Sequence, residues 1–332
     1  MSPAQTVLPR WRGFNLLEMF TTRSDGNFRE DDFRWMADWG FNFVRVPACY
    51  TLWIENDDAF QLYEPGLEKV DGVVQLGQKY GIHVCLNFHR APGYSVNPER
   101  KEPFSLWKDE TALNAFCFHW ETFARRYQGI PSTQLSFNLV NEPANVSPET
   151  MTREDHERVV RRATAAILAI DPERLIIMDG INWANTPLPE LVDLGVAQSC
   201  RAYAPMGVSH YKASWVDGEN WQEPAYPGVG IDGVYWDFQR LKEHYQPWID
   251  LAKKGVGVHC GEGGAYKYTP HSIVLAWLRD VLEILTPENI GYALWNFRGD
   301  FGILDSNRAD VAYEDWYGHQ LDRQLLELLL EF

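Results

Sequence analysis

Short apolar segments alternate with amphipathic ones along the whole chain, and this alternation constrains the fold more than any other feature. Strand-like runs fall at about Arg12–Leu16, Phe41–Pro47, His83–His89, Leu135–Glu142, Arg174–Asp179, Ser199–Ala204, Val256–Glu262 and Gly291–Phe297. They are short, apolar and often β-branched, as strands buried on both faces must be. Between them lie stretches with helical spacing, among them Asp109–Tyr127, Arg153–Ile170 and His271–Leu285. Eight strands with intervening helices predict an α/β fold, a (β/α)8 TIM barrel forming a single domain over residues 1–332. A doubly wound sheet is the competing architecture. It would carry a glycine-rich phosphate loop after its first strand, where this chain reads Asn15-Leu16-Leu17-Glu18-Met19. The longest irregular stretch, about 205–235, follows the sixth strand and is expected over the barrel mouth. Gln320–Phe332 reads as a closing helix.

A barrel of this kind places its active site at the C-terminal ends of the strands, and polar residues collect at those ends here. Arg45 closes the second strand, His89 the third, Asn141 and Glu142 the fourth, Glu262 the seventh, and Trp295 the eighth. Arg201 and Tyr203 lie on the sixth. Glu142 and Glu262 matter most. A proton donor paired with a carboxylate nucleophile is the requirement of a retaining glycosidase, with the two carboxyls about 5–5.5 Å apart. Each glutamate alone has an ordinary reading, as a cap or salt-bridge partner or as part of a glycine turn. Together, on the fourth and seventh strands, they point to sugar chemistry.

Composition narrows the partners. The net charge of −16 disfavours nucleic acid, anionic membrane surfaces and polyanionic substrates, and a neutral saccharide fits. Aromatic residues make up 14% of the chain. They suit the C–H faces of sugar rings, although many must simply fill a large core. The five cysteines form no C-x-x-C pair, and their odd number excludes complete internal pairing. No apolar run is long enough for a transmembrane helix. Met1–Thr6 carries no basic, then apolar, leader pattern, so the expectation leans to the cytoplasm. A secreted protein whose leader has been removed would read the same.

The segments Asn42-Phe43-Val44-Arg45-Val46-Pro47, His89-Arg90-Ala91-Pro92-Gly93-Tyr94, Leu139-Val140-Asn141-Glu142-Pro143, Tyr203-Ala204-Pro205, Gly261-Glu262-Gly263 and Leu294-Trp295-Asn296-Phe297 occur in this order. In order and spacing they resemble glycoside hydrolase family 5, the cellulase-type family of clan A. The resemblance covers essentially the whole chain. It implies Glu142 as general acid/base and Glu262 as nucleophile, acting through a covalent glycosyl-enzyme without metal or cofactor. It further implies that Asn141 binds the 2-hydroxyl of the sugar at the cleavage point and that Arg45 lies near Glu262, opposite in charge. His89 would contact hydroxyls of that sugar, Tyr203 would donate to Glu262, and Trp295 would be the platform beneath the ring.

The chain departs from the family pattern in three places. The sixth strand reads Arg201-Ala202-Tyr203 where the family usually has His-x-Tyr. Arg201 and Tyr203 share a face by alternation, so Arg201 either binds substrate or is held by a second carboxylate. His210, in the following loop, is a candidate to replace the lost imidazole. Asn87 and Asn138 stand at inward positions where the family often has acids, which implies an altered network behind the site. Trp183, after the fifth strand, is a further candidate platform. Trp215, Trp221, Tyr226 and Trp236 would line an open cleft or close a pocket. The substrate implied by the family is a β-1,4-glucan or its oligosaccharides, cut endo-glucanase fashion. The alternative is an intracellular exo-acting β-glucosidase or β-mannosidase. A non-catalytic sugar-binding barrel would be expected to lose one of the glutamates. A metal-dependent hydrolase built on His83, His89, His210, Glu142 or His259 lacks a recognisable ligand run.

Overall fold

The computed structural model describes residues 7–99 and 101–332. The expectation about a leader concerns residues 1–6, which lie outside them. The chain divides into two compact units, one comprising Leu16–Ser199 and the other Leu8–Asn15 with Cys200–Phe332. Eight strands run in ring order: β1 Arg12–Asn15, β2 Phe43–Cys49, β3 His83–Ala91, β4 Leu135–Asn138, β5 Leu175–Asp179, β6 Ala197–Ala202, β7 Val258–Gly263 and β8 Gly291–Leu294. Each pairs with its sequence neighbours, β1 pairs with β8, and the sheet closes as a parallel (β/α)8 barrel.

In the first unit the register runs Phe43↔His83, Val84↔Leu135 and Ser136↔Leu175. The β2–β3 ladder slips once. Ala48 faces Phe88 and Cys49 faces Arg90, so His89 is the extra residue of a bulge. In the second unit Arg12 pairs with Tyr292 and His259 with Gly291. There Cys260 faces Tyr292 and Gly263 faces Leu294, so Gly261 and Glu262 together span a single partner position. A bulge bends its strand and re-aims a side chain. Both bulges fall at residues already singled out for chemistry.

Helices form where the apolar stripe has a local stop or start. Glu64–Tyr80 begins with a proline in its first turn and ends at Gly81, whose left-handed φ of 67° favours glycine. Arg153–Leu168 opens with a capping box, in which Thr152 and Asp155 satisfy each other's backbone N–H groups. Phe238–Lys253 is capped by Asp237. Trp53, Trp120, Trp248 and Trp277 are fully buried, so much of the indole content is core. All five cysteines are free and buried.

Four expectations need correction. The fourth strand ends at Asn138, not Glu142, because Glu142 adopts a left-handed backbone with φ 47° that no strand continues through. The closing helix is Arg323–Glu331, started by the Asp322 side chain accepting from Leu325 N–H, while Gln320 lies in a hairpin strand paired with Asp315. Trp236 does not line a cleft. It is buried, and its indole N–H donates to Asp232 at 3.1 Å. Stretch 205–235 is not structureless either, since it holds a short helix at Met206–Ser209 and turns of 3-10 helix.

Candidate active site

The first unit builds a buried polar network around the end of β4. The guanidinium of Arg45, on fully buried β2, donates to Asn138 Oδ1 at 2.9 Å and to Asn141 Oδ1 at 2.8 Å. It also lies 3.8 Å from Asp179 Oδ2 at the end of β5. Asp179 Oδ1 accepts from Asn138 Nδ2 at 2.9 Å, and Oδ2 accepts from the backbone N–H of Glu142 at 2.9 Å. Asn87 Nδ2 donates to the Asn138 carbonyl at 3.1 Å. The inward asparagines therefore hold a charge pair, Arg45 with Asp179, that is under 2% exposed on both sides. A buried charge persists only where it is paired and hydrogen-bonded. Because Arg45 occupies the Asn141 carbonyl oxygen, the orientation of that side-chain amide is set. His89, at its bulge, packs edge-on to Phe20 with ring centroids 4.5 Å apart.

Glu142 is half-buried, and the backbone on either side of it is tied down. Tyr94 Oη donates to the Glu142 carbonyl at 2.7 Å. The backbone N–H of Trp183 donates to Pro143 O at 2.9 Å. Trp183 itself adopts φ 54° and is 40% exposed, which leaves an indole in solvent next to the Glu142 segment.

The second unit holds Glu262. Arg201 Nη2 lies 3.3 Å from Glu262 Oε1, with both side chains nearly inaccessible. Tyr203 Oη donates to Oε2 at 3.2 Å. Arg201 is thus paired with the seventh-strand carboxylate, one of the two outcomes expected for it. The Trp295 N–H donates to Gly263 O at 2.7 Å, which ties the half-buried Trp295 to the same strand end.

His210 packs edge-on to Tyr203 at 4.9 Å. The Ser209 hydroxyl donates to the Tyr203 carbonyl, so at its 2.8 Å contact with His210 Nδ1 it accepts. The ring therefore carries its proton on Nδ1 and presents Nε2 as an acceptor. Burial pushes the His210 pKa down to about 4, so the imidazole is neutral near pH 6. Beyond it Trp215, Tyr266 and Tyr268 follow one another at 4.8 and 5.3 Å, with Trp215 and Tyr268 about half exposed. Tyr226 is tied elsewhere, donating to Asp280 at 2.6 Å. No group of three or more His, Cys, Asp or Glu side chains among the described residues is arranged to hold a metal ion.

A model of the cellulase family, glycosyl hydrolase family 5, matches residues 4–300. The chain belongs to glycoside hydrolase family 5. Family 5 members are retaining β-glycoside hydrolases, and this chain is one. Endoglucanase C of Acetivibrio thermocellus is 27% identical over 313 residues, covering 86% of this chain and 88% of that protein. Cellodextrinase A of Ruminococcus flavefaciens is 26% identical over 281 residues, covering 81% and 78%. A solved glycoside hydrolase is 41% identical, with a TM-score of 0.92 over 97% of this chain and 99% of that one. An endoglucanase from Thermotoga maritima, 23% identical at a TM-score of 0.76, shares the family 5 fold.

Two residues of the Glu142 network escaped the sequence reading. Asp179 ends a barrel strand, and an acid at that position is itself a signal. Tyr94 belongs to a segment that matches the family, but nothing local indicates what its hydroxyl reaches.

Proposed function

We propose that Glu142 is the general acid/base and Glu262 the nucleophile of a β-1,4-glucanase that also accepts gluco-oligosaccharides. The observation carrying this reading is the pairing of Glu262 with both Arg201 and Tyr203. A carboxylate gripped at each oxygen by a donor is oriented for attack on an anomeric carbon and need not turn to react. In the first step Glu142 gives its proton to the departing sugar oxygen as Glu262 forms the ester bond. In the second, Glu142 takes a proton from water, which attacks the same carbon and releases Glu262. Asn141, oriented by Arg45, offers its amide N–H to the 2-hydroxyl, while His89 contacts neighbouring hydroxyls and Trp295 lies beneath the ring. Arg201 contributes through the nucleophile, and His210 offers an acceptor to a sugar hydroxyl. Trp183 and the aromatic series beginning at Trp215 give sugar faces apolar surfaces to lie on. The whole chain acts as one catalytic barrel, with 205–235 lining the substrate's approach.

The names of the endoglucanase and cellodextrinase relatives support glucan as the polymer, with cutting inside the chain. The test is a panel of soluble β-glucan, soluble β-mannan, cello-oligosaccharides and aryl β-glycosides, with product sizes recorded. Mixed-length products from β-glucan are expected. Release of single sugars alone, or a preference for mannan, would overturn the substrate reading while leaving the two glutamates in place.

A further inference from the structure

Glu142 sits on a backbone that resists its own conformation. Its φ of 47° is in the left-handed region, which disfavours any residue with a side chain. Such a conformation persists only where the surroundings hold it, and the holding groups here are specific. The N–H of Glu142 donates to Asp179 Oδ2 at 2.9 Å, a shorter contact than the 3.8 Å between that oxygen and Arg45. The C=O of Glu142 accepts from the phenol of Tyr94 at 2.7 Å. The Ala144 N–H faces the same phenol oxygen. On either side, Asn141 N–H donates to Phe88 O at 3.0 Å and Trp183 N–H to Pro143 O at 2.9 Å. Both peptide groups of Glu142 are held by side chains, one from the end of β5 and one from the segment that follows β3. Tyr94 is fixed in turn by the Trp107 ring, edge-on at 4.9 Å.

We infer that Tyr94 and Asp179 are positioning residues for the proton donor: they clamp both peptide groups of Glu142 in the left-handed turn that aims its carboxyl at the leaving-group oxygen. The inference rests on the assignment of Glu142 as acid/base. Neither side chain needs to touch substrate. Loosening the clamp lets the backbone relax toward an ordinary conformation and swings the carboxyl away. The damage should then fall on the step that needs a proton, and only in proportion to that need.

The test measures kcat/KM on aryl β-cellobiosides, a quantity that reports the first covalent step. The aglycones run from 2,4-dinitrophenol, which departs with little help, to phenol, which needs protonation. The wild type, Tyr94→Phe, Asp179→Asn and Glu142→Gln are compared, with folding checked by near-UV circular dichroism. General acid assistance is worth ~10²–10⁴-fold. A partial loss of it predicts that Tyr94→Phe keeps dinitrophenyl cleavage within about 3-fold while phenyl cleavage falls ~10–100-fold. Asp179→Asn should show the same tilt on top of a uniform loss, because it also removes the charge partner of Arg45, and it carries the test if Tyr94→Phe does not fold. An equal loss on every aglycone in the folded variants, or no loss, overturns the inference. If Glu142→Gln tilts steeply and the two clamp variants do not, the clamp alone falls. If Glu142→Gln itself shows no tilt, the acid/base assignment falls and the clamp falls with it.

Discussion

Replacing Arg201 with methionine tests whether the buried Arg201–Glu262 pair couples as the geometry requires. Arg201 Nη2 and Glu262 Oε1 are 3.3 Å apart, with side chains 1% and 4% exposed. Removing one member of such a pair strands the other charge in the interior, at a cost of about 3–5 kcal/mol. Glu262 keeps the Tyr203 hydroxyl at 3.2 Å, which places Arg201→Met at the lower end, about 3 kcal/mol. Glu262→Gln leaves the guanidinium with a neutral partner and should also destabilise. The double variant removes both charges together. Its cost should fall below the sum of the two single costs by roughly 1–3 kcal/mol. Urea unfolding followed by fluorescence from the buried indoles gives all four stabilities. Additive costs, with no coupling within error, would refute the pairing and with it the orienting role given to Arg201.

Two further outcomes follow from the site and its surroundings. His210→Ala removes one neutral acceptor worth about 1 kcal/mol, so KM for cello-oligosaccharides should rise roughly 5-fold in the folded variant; an unchanged KM would exclude His210 from binding. Burial depresses His83, His156, His210 and His244 to about 4 and His119 to about 3. Their folded pKa values lie below the unfolded value near 6.5. The unfolded chain therefore takes up protons first, and stability is full above that value and lost as pH falls toward 4. Each such histidine adds up to ~1.4 kcal/mol per pH unit to the slope. Urea midpoints at pH 7, 6 and 5 should decline, and a flat series would contradict neutral burial.

Much of this site was legible because its parts are local. Eight apolar runs mark the barrel; His89 and Glu262 stand near the C-terminal ends of β3 and β7, Trp295 directly follows β8, Glu142 lies in the segment after β4, and Arg45 lies within β2. What stayed hidden depends on geometry that spacing does not carry. The ladder slips that single out His89 and Glu262 exist only between paired strands. The left-handed turn at Glu142 is held by Asp179 and Tyr94, 37 and 48 residues away along the chain. The departure at Arg201 was visible, whereas its choice of partner was not. Trp236 misled because an indole in a long loop reads the same whether it faces solvent or folds back onto Asp232.

The central claim is that Glu262 forms the covalent bond while Glu142 handles the proton. A 2-deoxy-2-fluoro β-cellobioside with a dinitrophenyl leaving group would trap the glycosyl-enzyme, and peptide mass spectrometry would locate the added sugar. The label is expected on the peptide bearing Glu262, with Glu262→Ala unlabelled and regaining turnover of aryl substrates when azide is added. A label on Glu142 or on any other residue, or full activity in Glu262→Ala, would contradict it.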